Sequence, residues 1–153
     1  MSALELKIPP VALTLVAAGG MWALSRGAPL ATLSFPSAGW VAAGFALAGV
    51  GIAVLGVLAF RQAETTVDPR SPEQSSTLVV RGVYRYSRNP MYLGFFLVLC
   101  AWGVFLGSIS PLLLLPAFVV YMNRFQIAPE ERFMREKFGE SYSAYSARVR
   151  RWV

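Results

Sequence analysis

Four runs of apolar residues, Ile8 to Ser25, Trp40 to Phe60, Met91 to Gly107 and a fourth from Pro111 to about Tyr121, contain no Asp, Glu, Lys or Arg. Nothing else in the chain limits its fold so tightly. Crossing a hydrocarbon core of ~30 Å takes roughly 20 helical residues. The second run is ample and the others are just long enough, with snorkelling flanks or local thinning making up the difference. Lipid requires every backbone amide to be paired within the protein, which leaves helices or a closed barrel, and these runs lack the alternation of barrel strands. With 56% hydrophobic and 14% charged residues, the 153-residue chain also lies outside the usual soluble range. The sequence therefore predicts an all-α polytopic membrane protein. It forms a single membrane domain over 1–153, with four transmembrane helices at about 8–25, 40–60, 91–107 and 111–125.

The placement of Lys and Arg sets the orientation. With four crossings, the amino-terminal stretch, the 61–90 connection and the tail after the fourth apolar run share one side, and all but Arg26 of the fourteen basic residues fall there. The positive-inside rule then puts both termini in the cytoplasm, and a bacterial inner membrane is the expected location. The net charge of +6 suits attraction to anionic membrane lipids, and no nucleic-acid motif accompanies it. No nucleic-acid partner is expected. Cys100, the one cysteine, cannot form an internal disulfide.

The linking segments differ in character. Residues 26–39 mix Gly, Pro and Ser with Leu and Phe, as an interfacial connection would. Residues 61–80 begin polar and Pro-rich and end in a short strand-like run, in an excursion long enough to be functional. Ser108, Ile109 and Ser110 alone join the third and fourth runs, which predicts a tight antiparallel hairpin. Gly103 and Gly107 form a GxxxG pair there, read either as ordinary packing or as a contact between copies in a homo-oligomer. Beyond Pro129, Phe133, Phe138, Tyr142, Tyr145, Val149 and Trp152 recur at steps of three to five, predicting a cytoplasmic amphipathic helix broken near Gly139. Such a helix lies in the headgroup layer or closes over a cytoplasmic site.

Chemistry is narrowed by absences. With no histidine and one cysteine, zinc sites, Ser-His triads and Cys-His pairs are excluded, and no metal site is expected. The lack of intramembrane charge weakens a transporter reading. The Gly49-Gly51 pair lies inside an apolar run and reads as packing. What remains is the cytoplasmic rim. In RYSRNPMYLG, residues 85–94, Asn89 suits an N-cap, Pro90 the first helical position, and Arg85 and Arg88 membrane anchors. The same helix start, with free amides beside arginine and tyrosine, also suits a carboxylate or phosphate. Glu130 and Glu131 fit the dipole at a helix start, and a carboxylate is also the usual group for gripping ribose hydroxyls.

The run TLVVRGVYRYSRNPMYLG, followed across a hairpin by EERFMREKFGESYSAYSARV, resembles the integral-membrane methyltransferases of the isoprenylcysteine carboxyl methyltransferase and phospholipid methyltransferase group. The resemblance covers roughly residues 76–149. It implies S-adenosyl-L-methionine as cofactor, bound without a Rossmann domain by the cytoplasmic segments 61–90 and 126–153, and a lipophilic acceptor arriving from the bilayer. By position it implies that Ser76, Thr77, Leu78 and Val79 line the cofactor with Tyr84 beside it, and that Asn89, Pro90, Met91 and Tyr92 form the entrance motif. Glu130 corresponds to the family's cofactor-binding glutamate. Isoprenylcysteine enzymes usually carry histidine in place of Asn89, and their substrate-side arginine corresponds to Gln126, with Arg124 two residues away. Arg124 and Gln126 are thus the candidates for positioning the acceptor. No residue is expected to move a proton as a catalytic group. A carboxylate or thiolate acceptor needs no general base, so methyl transfer depends on orientation and desolvation. The alternatives are prenylcysteine-type carboxyl methylation specifically, or a non-enzymatic membrane scaffold.

Overall fold

The structure, a computed structural model, describes residues 5–63 and 77–153. Its architecture is helical: α1 (Pro10–Gly27), α2 (Ala38–Gln62), α3 (Pro90–Phe105), α4 (Leu114–Tyr121) and α5 (Ala128–Arg148). A 3-10 turn, Ser110–Leu113, leads into α4, and a π turn, Met122–Ile127, joins α4 to α5, so that 110–148 is one helical run with a kink at Gly139. Among the described residues the only β pairing is an isolated bridge between Thr32 and Ser108. The strand-like run forms no strand: Thr77 lies in a bend and residues 78–80 have no regular secondary structure.

Two of these helical runs, Ala38–Gln62 and Ser110–Arg148, are long and apolar enough to cross a membrane, and α3 is a shorter apolar helix. At ~1.5 Å per residue, the 16 residues of α3 span about 24 Å. Their outer faces carry the side chains lipid would solvate: Trp40 is 83% exposed, Leu47 75% and Phe105 69%. The chain is a membrane protein whose apolar surface points outward.

Between lipid-facing helices no hydrophobic gradient drives association, so contact depends on close van der Waals approach through small residues. The α2–α3 pair is built this way. A Cβ on Gly94 would sit 2.5 Å from the Gly49 carbonyl oxygen and 2.8 Å from Ala53 Cβ, and one on Gly49 would sit 2.7 Å from the Gly94 carbonyl oxygen. The two backbones touch. Helix α1 is tied on by polar links: the Trp102 indole N–H donates to the Ala18 carbonyl (3.0 Å) and the Ser110 hydroxyl to that of Leu24 (3.4 Å). Between α1, α3 and α4, the core gathers Met21, Leu99, Phe118, Met122 and Ile127, and it reaches Tyr92 at the polar end.

The turn after α3 gives the GxxxG pair a role in packing. Gly107 adopts φ +66, and its carbonyl accepts from Leu33 N–H at 2.8 Å. The space beside Gly103 is filled by Leu112 and Met21 of the same chain. Within the chain, the GxxxG pair therefore serves packing at Gly103 and a turn at Gly107.

The π turn has a partner as well. Widening a helix by one residue disturbs its hydrogen-bond ladder. Here Leu6 N–H donates to the Phe125 carbonyl (3.0 Å), and the Gln126 side-chain amide donates to the Ile8 carbonyl. Glu5 pairs with Arg132 at 2.6 Å. The stretch before α1 thus braces the junction between α4 and α5. Within α5, Gly139 (φ 51, ψ −122) breaks the helical path, at the position the sequence suggested.

Candidate functional site

The approach to α3 is assembled from short local interactions. A 3-10 turn, Gly82–Arg85, buries Tyr84 edge-on against Phe60 of α2, with ring centroids 5.3 Å apart. Asn89 N–H then donates to the Ser87 hydroxyl (3.1 Å), and Pro90 takes the first helical position, where a missing N–H costs nothing. Asn89 does not cap the helix with its side chain, as the sequence suggested it would. Its amide Nδ2 donates instead to the carbonyl of Arg151 at 2.9 Å, because residues 150–152 run directly beneath the entrance.

That final segment is closely tied. Arg88 N–H donates to the Arg150 carbonyl (3.0 Å), and the Trp152 indole N–H donates to Asn123 Oδ1 (3.0 Å) while its ring lies 6.2 Å from that of Phe96. The Tyr145 hydroxyl donates to the Tyr84 carbonyl at 2.8 Å. Helix α5 and the residues after it therefore close one side of a cavity whose other sides are the start of α3 and the 77–84 connection.

This cavity, partly open to its surroundings, has a volume of about 100 Å³. The connection contributes Thr77, Leu78, Val79 and Tyr84; the start of α3 and the residues just before it contribute Arg88, Asn89, Met91 and Tyr92; α5 contributes Glu130, Glu131, Met134, Tyr142 and Tyr145; α2 contributes Phe60. Thr77, Leu78 and Val79 also wall a neighbouring cavity of about 450 Å³ with Gln62 and Arg81. Two polar atoms on the first cavity are buried without a partner among the described residues, the Tyr84 hydroxyl and Arg88 Nε. A buried donor left unpaired is costly, so these are groups available to a ligand.

Its two carboxylates have different surroundings. The Tyr92 hydroxyl donates to Glu130 Oε1 at 2.5 Å. Burial pushes the Glu130 carboxyl up to about 8; the Tyr92 hydrogen bond pulls it back, and the neighbouring Glu131 charge adds to the rise. Glu131 instead meets two guanidinium groups, Arg151 at 2.6 Å and Arg88 at 3.1 Å. Burial also raises the Tyr84 phenol, with Tyr145 adding to it, so Tyr84 is a neutral donor at ordinary pH.

A pH dependence follows. In the unfolded chain Glu130 ionises near 4.5 and in the folded protein near 8. Between those values the native state binds more protons, so stability falls as pH rises through this window and levels off above it. The thermal midpoint of the protein in detergent should decline between pH 6 and pH 9, and Glu130→Gln should flatten that decline. A wild-type midpoint that rises across this range contradicts the assignment.

Of the residues singled out from the sequence, Thr77, Leu78, Val79, Tyr84, Asn89, Met91, Tyr92 and Glu130 meet at one cavity. Pro90 is buried but does not line it, and Ser76 lies outside the described residues. Neither Arg124 nor Gln126 lines the cavity. Arg124 is exposed, with its guanidinium 5.7 Å from the Phe125 ring centroid. Gln126 is turned by the π turn toward Ile8. The structure thus does not bring these two acceptor-positioning candidates to the cavity that gathers the other site residues. Sequence reasoning did not single out Phe60 or Met134, and Arg88 and Glu131 entered it only through the local readings of the two helix starts. Tyr142 and Tyr145 belonged to the aromatic stripe, for which closure over a site was one of two readings, whereas Phe60 is simply the last apolar residue of a long run.

Comparison with known proteins adds an independent line. Residues 38–141, about two thirds of the chain, match the family described as phospholipid methyltransferase. An uncharacterized protein of Haemophilus influenzae is 43% identical over 63 residues, covering 41% of this chain and all of that protein. The Protein-S-isoprenylcysteine O-methyltransferase of Schizosaccharomyces pombe is 33% identical over 72 residues, 47% of this chain but only 30% of the yeast enzyme. No solved structure matches.

Proposed function

The chain belongs to the phospholipid methyltransferase family, and from that premise we propose that it uses S-adenosylmethionine to methylate a lipophilic acceptor at the cytoplasmic face of a membrane. Four crossings at α1, α2, α3 and α4, with both termini cytoplasmic in a bacterial inner membrane, complete this reading. It treats 1–153 as one membrane domain, with cofactor segments at 61–90 and 126–153. The observation that carries it is the Tyr92–Glu130 hydrogen bond inside a cavity walled by Thr77, Leu78 and Val79. These are the residues that the family resemblance assigns to the cofactor, contributed by three separate parts of the chain.

The residues present suit such a molecule. An amphipathic nucleoside needs an apolar wall for its base and a few fixed polar groups. Phe60, Leu78, Met91 and Met134 provide the first, and the unpartnered Tyr84 hydroxyl is a donor left over for the second. Glu130 would hold ribose hydroxyls with its orientation fixed by Tyr92, while Asn89 and Pro90 would set the start of α3. When bound, the cofactor supplies a methyl group already activated by a positive sulfur. The chain's own contribution is to hold reactants in line and exclude water. The acceptor would approach along the apolar flank of α3 and α4.

The test is calorimetry with S-adenosylmethionine on protein in lipid nanodiscs, followed by incubation of methyl-labelled cofactor with membrane-lipid and prenyl-thiol pools. Saturable binding and a labelled lipophilic product are expected. Absence of binding overturns the reading.

A further inference from the structure

We propose that the Arg88 edge of the cavity is a carboxylate-binding subsite, with Arg151 as the residue that positions it. The proposal rests on the reading of the cavity as a cofactor site and goes beyond it by assigning the chemistry of its second end.

The argument begins with how three charges are shared. Arg151 occupies both oxygens of Glu131, with Nη2 at 2.6 Å from Oε2 and Nε at 3.0 Å from Oε1. Arg88 has only a share of one of them, through Nη2 at 3.1 Å. Its Nε is buried and has no hydrogen-bond partner among the described residues. Two guanidinium groups against one carboxylate leave one positive charge at this edge of the cavity. Arg88 is not a solvated membrane anchor like Arg85, which is exposed: its side chain is 14% accessible and it lines the cavity directly. A covered cation with incomplete pairing is unfavourable unless an anion joins it. Guanidinium binds carboxylate best side-on, through two parallel N–H donors, and the vacant Nε offers one of them.

Arg151 makes the vacancy. By taking both Glu131 oxygens, it keeps that carboxylate from closing bidentately on Arg88. Its own carbonyl is held by Asn89 Nδ2 and, at 3.5 Å, by the Ser87 hydroxyl, while the Arg150 carbonyl receives Arg88 N–H. The backbone that places Arg151 thus also fixes the backbone of Arg88.

A carboxylate at this edge has two sources, the amino-acid end of the cofactor or an acidic acceptor. One set of measurements separates them. Calorimetry in nanodiscs compares S-adenosylmethionine with its decarboxylated analogue, and, at saturating S-adenosylhomocysteine, N-acetyl-S-farnesylcysteine with its methyl ester. In the wild type the carboxylate-bearing partner of one pair should bind roughly ten- to hundred-fold more tightly, the range for hydrogen bonds to a charged group. Arg88→Gln should abolish that preference, and Arg88→Lys should restore only part of it because the fork is lost. Arg151→Ala should weaken the same preference, with partial rescue by Arg151→Lys. Loss in the first pair assigns the subsite to the cofactor; loss in the second assigns it to the acceptor. Each preference is a ratio measured on one preparation, so a misfolded fraction does not imitate the result. If the cofactor binds but Arg88→Gln retains the wild-type ratio in both pairs, or the wild type shows no preference, the subsite proposal falls alone. If no nucleoside binds saturably, the proposed function falls with it.

Discussion

Gly94→Leu should leave little folded protein. The leucine would drive its Cβ to within 2.5 Å of the Gly49 carbonyl oxygen and 3.1 Å of Ala53 N, and neither backbone atom can move aside as a flexible side chain would. Relief requires α2 and α3 to separate along the face where they touch, which surrenders the packing that holds helices together in lipid. Overpacking a core typically costs 1–3 kcal/mol, and a backbone-to-backbone contact places this substitution at about 3 kcal/mol or beyond. The loss should spread to the cavity, because α2 contributes Phe60 and α3 contributes Met91 and Tyr92. Cys100, half-buried in α3, is a built-in reporter. Its reaction with a thiol dye on heating should show a midpoint lowered by many degrees. Gly51→Leu is the control, since nothing lies within 4 Å of its Cβ position. Equal midpoints for the two variants would refute the packing argument.

The second large effect concerns Glu130. Glu130→Gln should lower S-adenosylmethionine affinity by roughly ten- to hundred-fold, the loss of hydrogen bonds to a charged acceptor. It should also make the protein more resistant to heat above pH 8. Both outcomes have one cause. Burial holds the carboxyl up near 8, so ionising it works against folding, and the neutral amide removes that penalty along with the charge available to ligand. A gain of about 1 kcal/mol corresponds to roughly 2–4 °C for a chain of this size. Tyr92→Phe should act differently. It removes the hydrogen bond that favours the ionised form, so the pH at which cofactor affinity levels off should move upward. Calorimetric titrations at pH 7, 8 and 9 read the affinities, and thermal scans at the same pH read the stability. If Glu130→Gln binds like the wild type, this carboxylate is not a ligand group.

The helical nature of the chain and its rim of polar residues were legible for physical reasons. Uncharged runs near 20 residues have few folds open to them in lipid, and a polar stretch such as 85–94 against an apolar run marks where a helix emerges. The cavity residues of the entrance motif and Glu130 could be named because their spacing resembles a known family. What could not be read was how separated segments meet. Asn89 looked like a cap because local propensity favours that role, yet its amide reaches a carbonyl 62 residues away. Gln126 looked like a site residue from its position, yet the π turn carries it to Ile8. Nor does pattern tell Arg85 from Arg88: one is exposed and the other is covered by the final segment, a difference made by residues 150 and 151.

The widened turn at Met122–Ile127 also has a meaning for how the chain tolerates change. A regular helix turns about 100° per residue, so one surplus residue shifts the angular phase of everything beyond it. Helix α4 can thus keep the facing that lipid and the core demand while α5 directs Glu130 and Glu131 inward, as two gears on one shaft set at different clock positions. Drift in the composition of α4 then leaves the aim of the two carboxylates untouched, whereas a single-codon deletion between 122 and 127 would swing both away together.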